Sequence, residues 1–70
     1  MTNGRERGSD DRQMAESQLS ELQNIRVLLE EARGLSRSLA YHRRVRLEST
    51  IGGALEEVDR QIEELRAARG

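Results

Sequence analysis

The sequence predicts an all-α fold, an antiparallel two-helix hairpin that packs like a coiled coil. Strong helix formers (Leu, Glu, Arg, Gln and Ala) dominate the 70 residues, Pro is absent and Tyr41 is the sole aromatic residue. Apolar residues recur at steps of three and four along two stretches of the chain, as they do on one face of a helix. A glycine follows the first stretch, where a helix would end.

The first apolar stretch predicts a helix over about residues 10–33, with Ser9 or Asp10 as its N-cap. Its periodic residues are Ala15, Leu19, Leu22, Ile25, Leu28, Leu29 and Ala32. Residues 1–8 carry two glycines and three charges and have no apolar residue after Met1. We therefore expect a disordered tail over residues 1–8 and a helical hairpin over residues 9–70.

Gly34 marks the predicted turn. It comes directly after Arg33, and a glycine that follows a periodic stretch with Arg in the last turn is a helix stop signal. Leu35 is placed to make the hydrophobic contact that often accompanies such a stop, and Ser36 or Ser38 to cap the next helix. The turn is thus expected at residues 34–36 and the second helix at about residues 37–68.

The second stretch keeps its apolar face in phase from Leu47 to Leu65. Its periodic residues are Leu39, Val45, Leu47, Ile51, Leu55, Val58, Ile62 and Leu65. Gly52-Gly53 interrupts it, and two such glycines cost a helix about 2 kcal/mol relative to alanine. We expect a continuous or slightly kinked helix; the alternative is a helix to about Thr50 followed by a shorter one. The glycines mark either that break or a close helix–helix approach.

The apolar content exceeds what two helices can bury between themselves. The chain has 18 larger apolar side chains, and a hairpin has no third wall to cover them. We therefore expect a partner chain or dimerisation to complete the fold. Seven residues are predicted to close the hairpin or to contact the partner, and the sequence does not separate the two roles: Leu22, Ile25, Leu29, Leu55, Val58, Ile62 and Leu65.

Basic residues concentrate in the middle of the chain. Residues 33–46 contain five Arg and no acid, between two flanks of net charge −3 each. Either Glu30 and Glu31 offset this block, or it forms a basic tip that docks an acidic partner or a phosphate. The residues of this predicted tip are Arg37, Arg43, Arg44 and Arg46. The slightly negative net charge and the single aromatic residue argue against nucleic acid.

The sequence lacks the residues that metal sites, catalytic sites, membrane spans and secretory signals need. Without Cys and with His42 as the one histidine, we expect no metal, no cofactor and no catalytic residues, because a Ser38–His42 pair has no orienting acid. The chain is thus not expected to be an enzyme. Apolar runs of at most three residues and a polar N-terminus predict neither a membrane span nor a secretory signal, so a cytoplasmic location is expected.

Three segments carry a family resemblance: Ala32-Arg33-Gly34, Tyr41 and Ile51-Gly52-Gly53-Ala54-Leu55. This layout resembles the small co-chaperones of bacterial type III secretion needle subunits, which are short helical hairpins. The resemblance covers roughly residues 14–65. It implies a cytoplasmic hairpin that binds a larger helical chaperone and helps to hold the needle subunit soluble until export.

These observations together predict a non-enzymatic protein-interaction module. Its partner would be a helical chaperone or a second copy of the chain. The first hypothesis is a small co-chaperone that masks apolar surface of a partner in a secretion system. The alternative is a homodimeric four-helix bundle, a regulator whose basic tip binds an acidic protein or a phosphate ligand.

Overall fold

Two α-helices make up nearly all of the part described by the computed structural model, which covers the backbone of residues 3–69 and the side chains of residues 13–68. Helix α1 spans Asn3–Ser36 and helix α2 spans Tyr41–Arg69. Residues 37–40 join them, and the helices pack antiparallel, with extents of 61 × 16 × 14 Å. No strand occurs within residues 3–69. The predicted all-α hairpin is confirmed.

A single apolar seam holds the helices together. Leu19 of α1 packs with Val58 and Ile62 of α2, and partly buried side chains surround this cluster. The hairpin seam, as we name this contact line, consists of Leu19, Leu22, Leu29 and Ser36 on α1 and of Ile51, Leu55, Val58, Ile62 and Leu65 on α2. Its positions follow steps of three, four and seven, as in a coiled coil. None of the described side chains is completely enclosed, so the hairpin alone has a small core.

Helix α1 continues past the predicted stop. Gly34 lies inside the helix, and none of the glycines in the described backbone has a positive φ. The chain leaves the helix through tighter i→i+3 turns, in which the amides of Arg37, Ser38 and Leu39 donate to carbonyls three residues earlier. The turn predicted at residues 34–36 therefore lies at residues 37–40. The predicted Leu35 contact is also wrong, because that side chain is 75% exposed.

The two serines close α1 and do not start α2. The Ser36 hydroxyl donates to the Arg33 carbonyl at 2.7 Å, and the Ser38 hydroxyl donates to the Leu35 carbonyl at 2.9 Å. The Ser36 bond gives a donor to a carbonyl of the last turn, and the Ser38 bond adds a second donor to the Leu35 carbonyl, which also accepts the Ser38 amide. Helix α2 starts later than the predicted residue 37, with the Ala40 carbonyl accepting the amides of Arg43 and Arg44.

Helix α2 is continuous through Gly52-Gly53, as the phase of the apolar face predicted. A Cβ atom added at either glycine would meet no atom within 4 Å. The close approach that was the other explanation for these glycines is thus not made between α1 and α2.

The N-terminal start of α1 differs from the prediction. The helix begins at Asn3, whereas the pattern placed its start near residue 10. Of the tail predicted over residues 1–8, the first two residues lie outside the described backbone and the rest outside the described side chains. Residues 3–8 of that predicted tail therefore lie in helix α1.

Candidate protein-binding face

The structure separates the seven residues that were predicted to bind a partner. Leu55, Val58 and Ile62 are buried in the hairpin seam. Leu22, Leu29 and Leu65 are partly buried against it. Ile25 differs from the rest, because 44% of its surface remains exposed. Six of the seven residues therefore help to close the hairpin, and Ile25 alone among the seven belongs to the exposed surface beside the seam.

A second apolar stripe runs along α1 beside the hairpin seam. Its positions follow steps of three and four, and Leu28 and Leu35 each precede a seam position by one residue. The stripe contains Ile25, Leu28, Ala32 and Leu35. Leu28 is 63% exposed and Leu35 is 75% exposed. In the sequence, the adjacent pair Leu28-Leu29 indicates two stripes, because Leu29 belongs to the hairpin seam and Leu28 to the second stripe.

Helix α2 adds apolar residues to the same side of the hairpin. A shallow groove brings together Gln18, Glu21 and Ile25 of α1 with Glu57, Gln61 and Glu64 of α2. Continued toward the turn by the same steps, the α2 stripe reaches Ala54 and Leu47, which is 44% exposed. We name this turn-proximal surface the open face: Ile25, Leu28, Ala32, Leu35, Leu47 and Ala54.

The open face becomes acidic toward the chain ends. Glu21 and Glu64 lie there, and neither makes an ion pair with a side chain among residues 13–68. Glu57 is nearer the middle, and its carboxylate accepts hydrogen bonds from Arg60 at 2.7 Å and from Gln61 at 2.9 Å. One side of the hairpin thus combines an apolar half with an acidic half.

Ion pairs cover the opposite side. Arg26 Nε donates to Asp59 across the helices at 2.8 Å, and Arg26 and Arg33 lie 3.6 Å and 4.0 Å from Glu30. The hydrogen bond and the charge of Asp59 raise the pKa of the Arg26 guanidinium above its usual value. Gly52 lines the same depression. Most charges on this side already have partners within the hairpin.

The predicted basic tip divides into paired and unpaired residues. Glu48 is 3.9 Å from Arg37 and 4.0 Å from Arg44, so this acid, which the sequence did not single out, neutralises part of the tip. The Arg44 guanidinium also lies 5.5 Å from the centre of the Tyr41 ring. Its Nε is buried without a hydrogen-bond acceptor among the described atoms.

The remaining tip residues are not paired. Arg43 and Arg46 are exposed and make no ion pair with a described side chain. Of the two acids expected to offset the block, Glu30 contacts Arg33. Glu31 makes no ion pair with any described side chain. On the α2 helix, Arg43 precedes Leu47 by four residues and therefore belongs to the side that carries the open face.

Other chemistry has little support among the described residues. Ser38 lies in the turn, before α2 begins, and donates to the Leu35 carbonyl, so Ser38 and His42 do not share a helix face. Residues 13–68 hold no group of three side chains that suits a metal ion. In the part of the chain that the structure describes, neither helix is long and apolar enough to cross a membrane.

Comparisons with known proteins gave no match. No family model matches the sequence, and neither the curated proteins nor the solved structures include a match. The resemblance to needle-subunit co-chaperones therefore stays a prediction.

Proposed function

We propose that this chain is a non-catalytic protein-interaction module, and that its open face covers an apolar surface on another helical protein. The exposure of Leu28 and Leu35 on one stripe carries this proposal. Single exposed leucines are common on protein surfaces, but a continuous apolar stripe flanked by charged residues is typical of a binding surface.

Burial of this stripe would supply a free energy comparable to the stability of the hairpin. Covering Leu28 and Leu35 would remove roughly 250 Å² of apolar surface, about 6 kcal/mol before the costs of association. The hairpin itself encloses no described side chain completely, so a gain of this size is comparable to its own stability. Covering the stripe therefore adds stability to the module whenever the partner is present.

The proposed mechanism is masking of one apolar surface by another. Helix-in-groove recognition places residues at spacings of three, four and seven against a partner, and the α1 stripe has this spacing. A co-chaperone that masks a helical partner would use such a surface. So would a subunit of a helical bundle.

Site-specific photo-crosslinking in the source cell tests the proposal. A photoreactive amino acid replaces Leu28 in one variant and Val27 in a matched control. Both side chains are well exposed, at 63% and 57%, but they point about 100° apart around α1. We expect discrete crosslinked products from position 28 and few from position 27. Equal labelling at the two positions, or none at position 28, would refute the proposal.

A further inference from the structure

We propose that the partner on the open face is a second copy of this chain, packed antiparallel about a two-fold axis that passes close to Ala32 and Ala54. This inference rests on the proposed function, because it keeps the same face and names what covers it. The hairpin leaves charges unpaired at particular heights along its length, and these positions indicate the partner.

Cross-helix contacts fix which residues of α1 and α2 lie at the same height. Arg26 pairs with Asp59, and Arg33 lines one depression with Gly52. Counting from these contacts, Ala54 lies within about two residues of the height of Ala32. These two small residues mark the middle of the open face.

Three of the unpaired charges on this side are placed symmetrically about that middle. At 1.5 Å per residue, Arg43 lies about 15 Å from it toward the turn. Glu21 and Glu64 lie about 15 Å from it toward the chain ends. A two-fold axis through the middle, perpendicular to the hairpin, therefore brings Arg43 of each copy against Glu21 and Glu64 of the other copy.

This charge pattern selects one orientation. If both turns pointed the same way, Arg43 of one copy would face Arg43 of the other. The acidic halves would also face each other, and both contacts are repulsive. In the antiparallel arrangement each Arg43 lies against two acids of the other copy, so both clusters become attractive. An isologous dimer of this kind is self-complementary by symmetry, which suits a face with opposite charges at its two ends.

The apolar residues fit the same arrangement. Ala32 and Ala54 at the centre let the helices of the two copies approach closely, while Leu28, Leu35 and Leu47 flank them. The overlap is about 30 Å long and the hairpin is 16 Å wide. The flat footprint is therefore about 480 Å², below the roughly 800 Å² per partner of a standard interface, which agrees with a dimer that dissociates on dilution. The product is an antiparallel four-helix bundle.

The opposite side offers no comparable match. Its principal arginine, Arg26, already contacts Asp59 and Glu30 within one chain. A second copy docked there would bury paired charges and gain little apolar contact. The asymmetry between the two sides therefore predicts a dimer that does not extend into a filament.

The first experiment measures the mass of the full chain by sedimentation equilibrium over a range of concentrations. We expect a dimer that dissociates on dilution, with helicity falling as it does. Leu28→Glu should shift the chain to monomer, and the control Val27→Glu should not. A wild-type chain that stays monomeric with intact helices at the highest concentration reached would overturn the second copy as partner.

Charge reversal tests the antiparallel orientation. Arg43→Glu should weaken the dimer about tenfold or more, and the double variant Glu21→Arg, Glu64→Arg should do the same. The Arg43→Glu change places an acid in the first turn of α2, which stabilises the helix, so unfolding does not explain a loss of dimer. The control Arg66→Glu alters an exposed arginine that lies 4.0 Å from Glu63 and should have little effect.

Mixing the two charge-reversed chains completes the test, because Arg43→Glu alone weakens only the antiparallel dimer and the mixture shows that lost attraction is the cause. In the antiparallel heterodimer both clusters regain opposite charges, so the mixture should dimerise where each variant alone does not. Failure of the mixture to recover, or insensitivity to Arg43→Glu, would overturn the proposed orientation.

These outcomes separate the inference from the proposed function. A monomeric chain that still gives discrete crosslinks to another protein from position 28 overturns the second copy and keeps the interaction module. A monomeric chain with no such crosslinks overturns both.

Discussion

Replacing Gly52 and Gly53 by alanine should stabilise the hairpin. Both glycines lie inside α2 without a positive φ, and an added Cβ meets no atom within 4 Å at either site. The change then removes only the helix cost of glycine, about 1 kcal/mol at each position. The double variant should gain about 2 kcal/mol, which raises Tm by roughly 8–16 °C for a domain of this size.

The assay is thermal unfolding followed by circular dichroism at one fixed protein concentration. Measuring each alanine variant also in the Leu28→Glu background keeps the chain monomeric, so that association does not contribute to Tm. Ser49→Ala is the matched control on the same helix and should gain only about 0.5 kcal/mol.

A fall in Tm for Gly52→Ala and Gly53→Ala, with the expected rise for Ser49→Ala, would refute this reasoning. It would mean that another surface packs against the glycine backbone. Since Gly52 lies on the ion-paired side, that result would also count against the open face as the site of association.

Three further predictions concern the hairpin itself. Ile62→Ala should cost about 2–3 kcal/mol in urea unfolding because its side chain is 6% exposed, whereas Leu28→Ala in monomeric protein should cost under about 1 kcal/mol. A double-mutant cycle of Arg26→Gln and Asp59→Asn should show a favourable coupling that vanishes near 1 M salt. Glu48→Gln should speed amide exchange in the first turns of α2, since it leaves two arginines without their acid.

The periodicity predicted the fold because the hairpin seam is regular. The steps of three and four ending at Ile62 and Leu65 define one face on α2, and the structure uses that face. The continuity of α2 through its glycines followed from the same phase. The location of the turn did not, because Gly34 is tolerated inside a helix that ends two residues later, at Ser36, where a serine hydroxyl binds the Arg33 carbonyl.

The candidate face was harder to derive from sequence. Two overlapping stripes share α1, and one-dimensional spacing assigns Ile25 equally well to either. Only the position of α2 shows that Leu29 closes the hairpin and that Leu28 points away from it. The role of Glu48 was hidden for the same reason, because its contact with Arg37 crosses from the turn to α2.

The hairpin seam has a polar end near the turn, at Ser36. This end helps to fix how far one helix can slide along the other, which heptad repeats alone leave open. A uniform leucine seam is degenerate, since sliding one helix by seven residues restores similar contacts. Here, sliding α2 by one heptad toward the chain ends would bring the Glu48 carboxylate level with Leu29 and move Ile62 level with Ala15. Burying an unpaired charge while losing the best apolar contact makes that arrangement much less stable. The hairpin therefore has one axial alignment, and every residue on its surface keeps a fixed height along the rod.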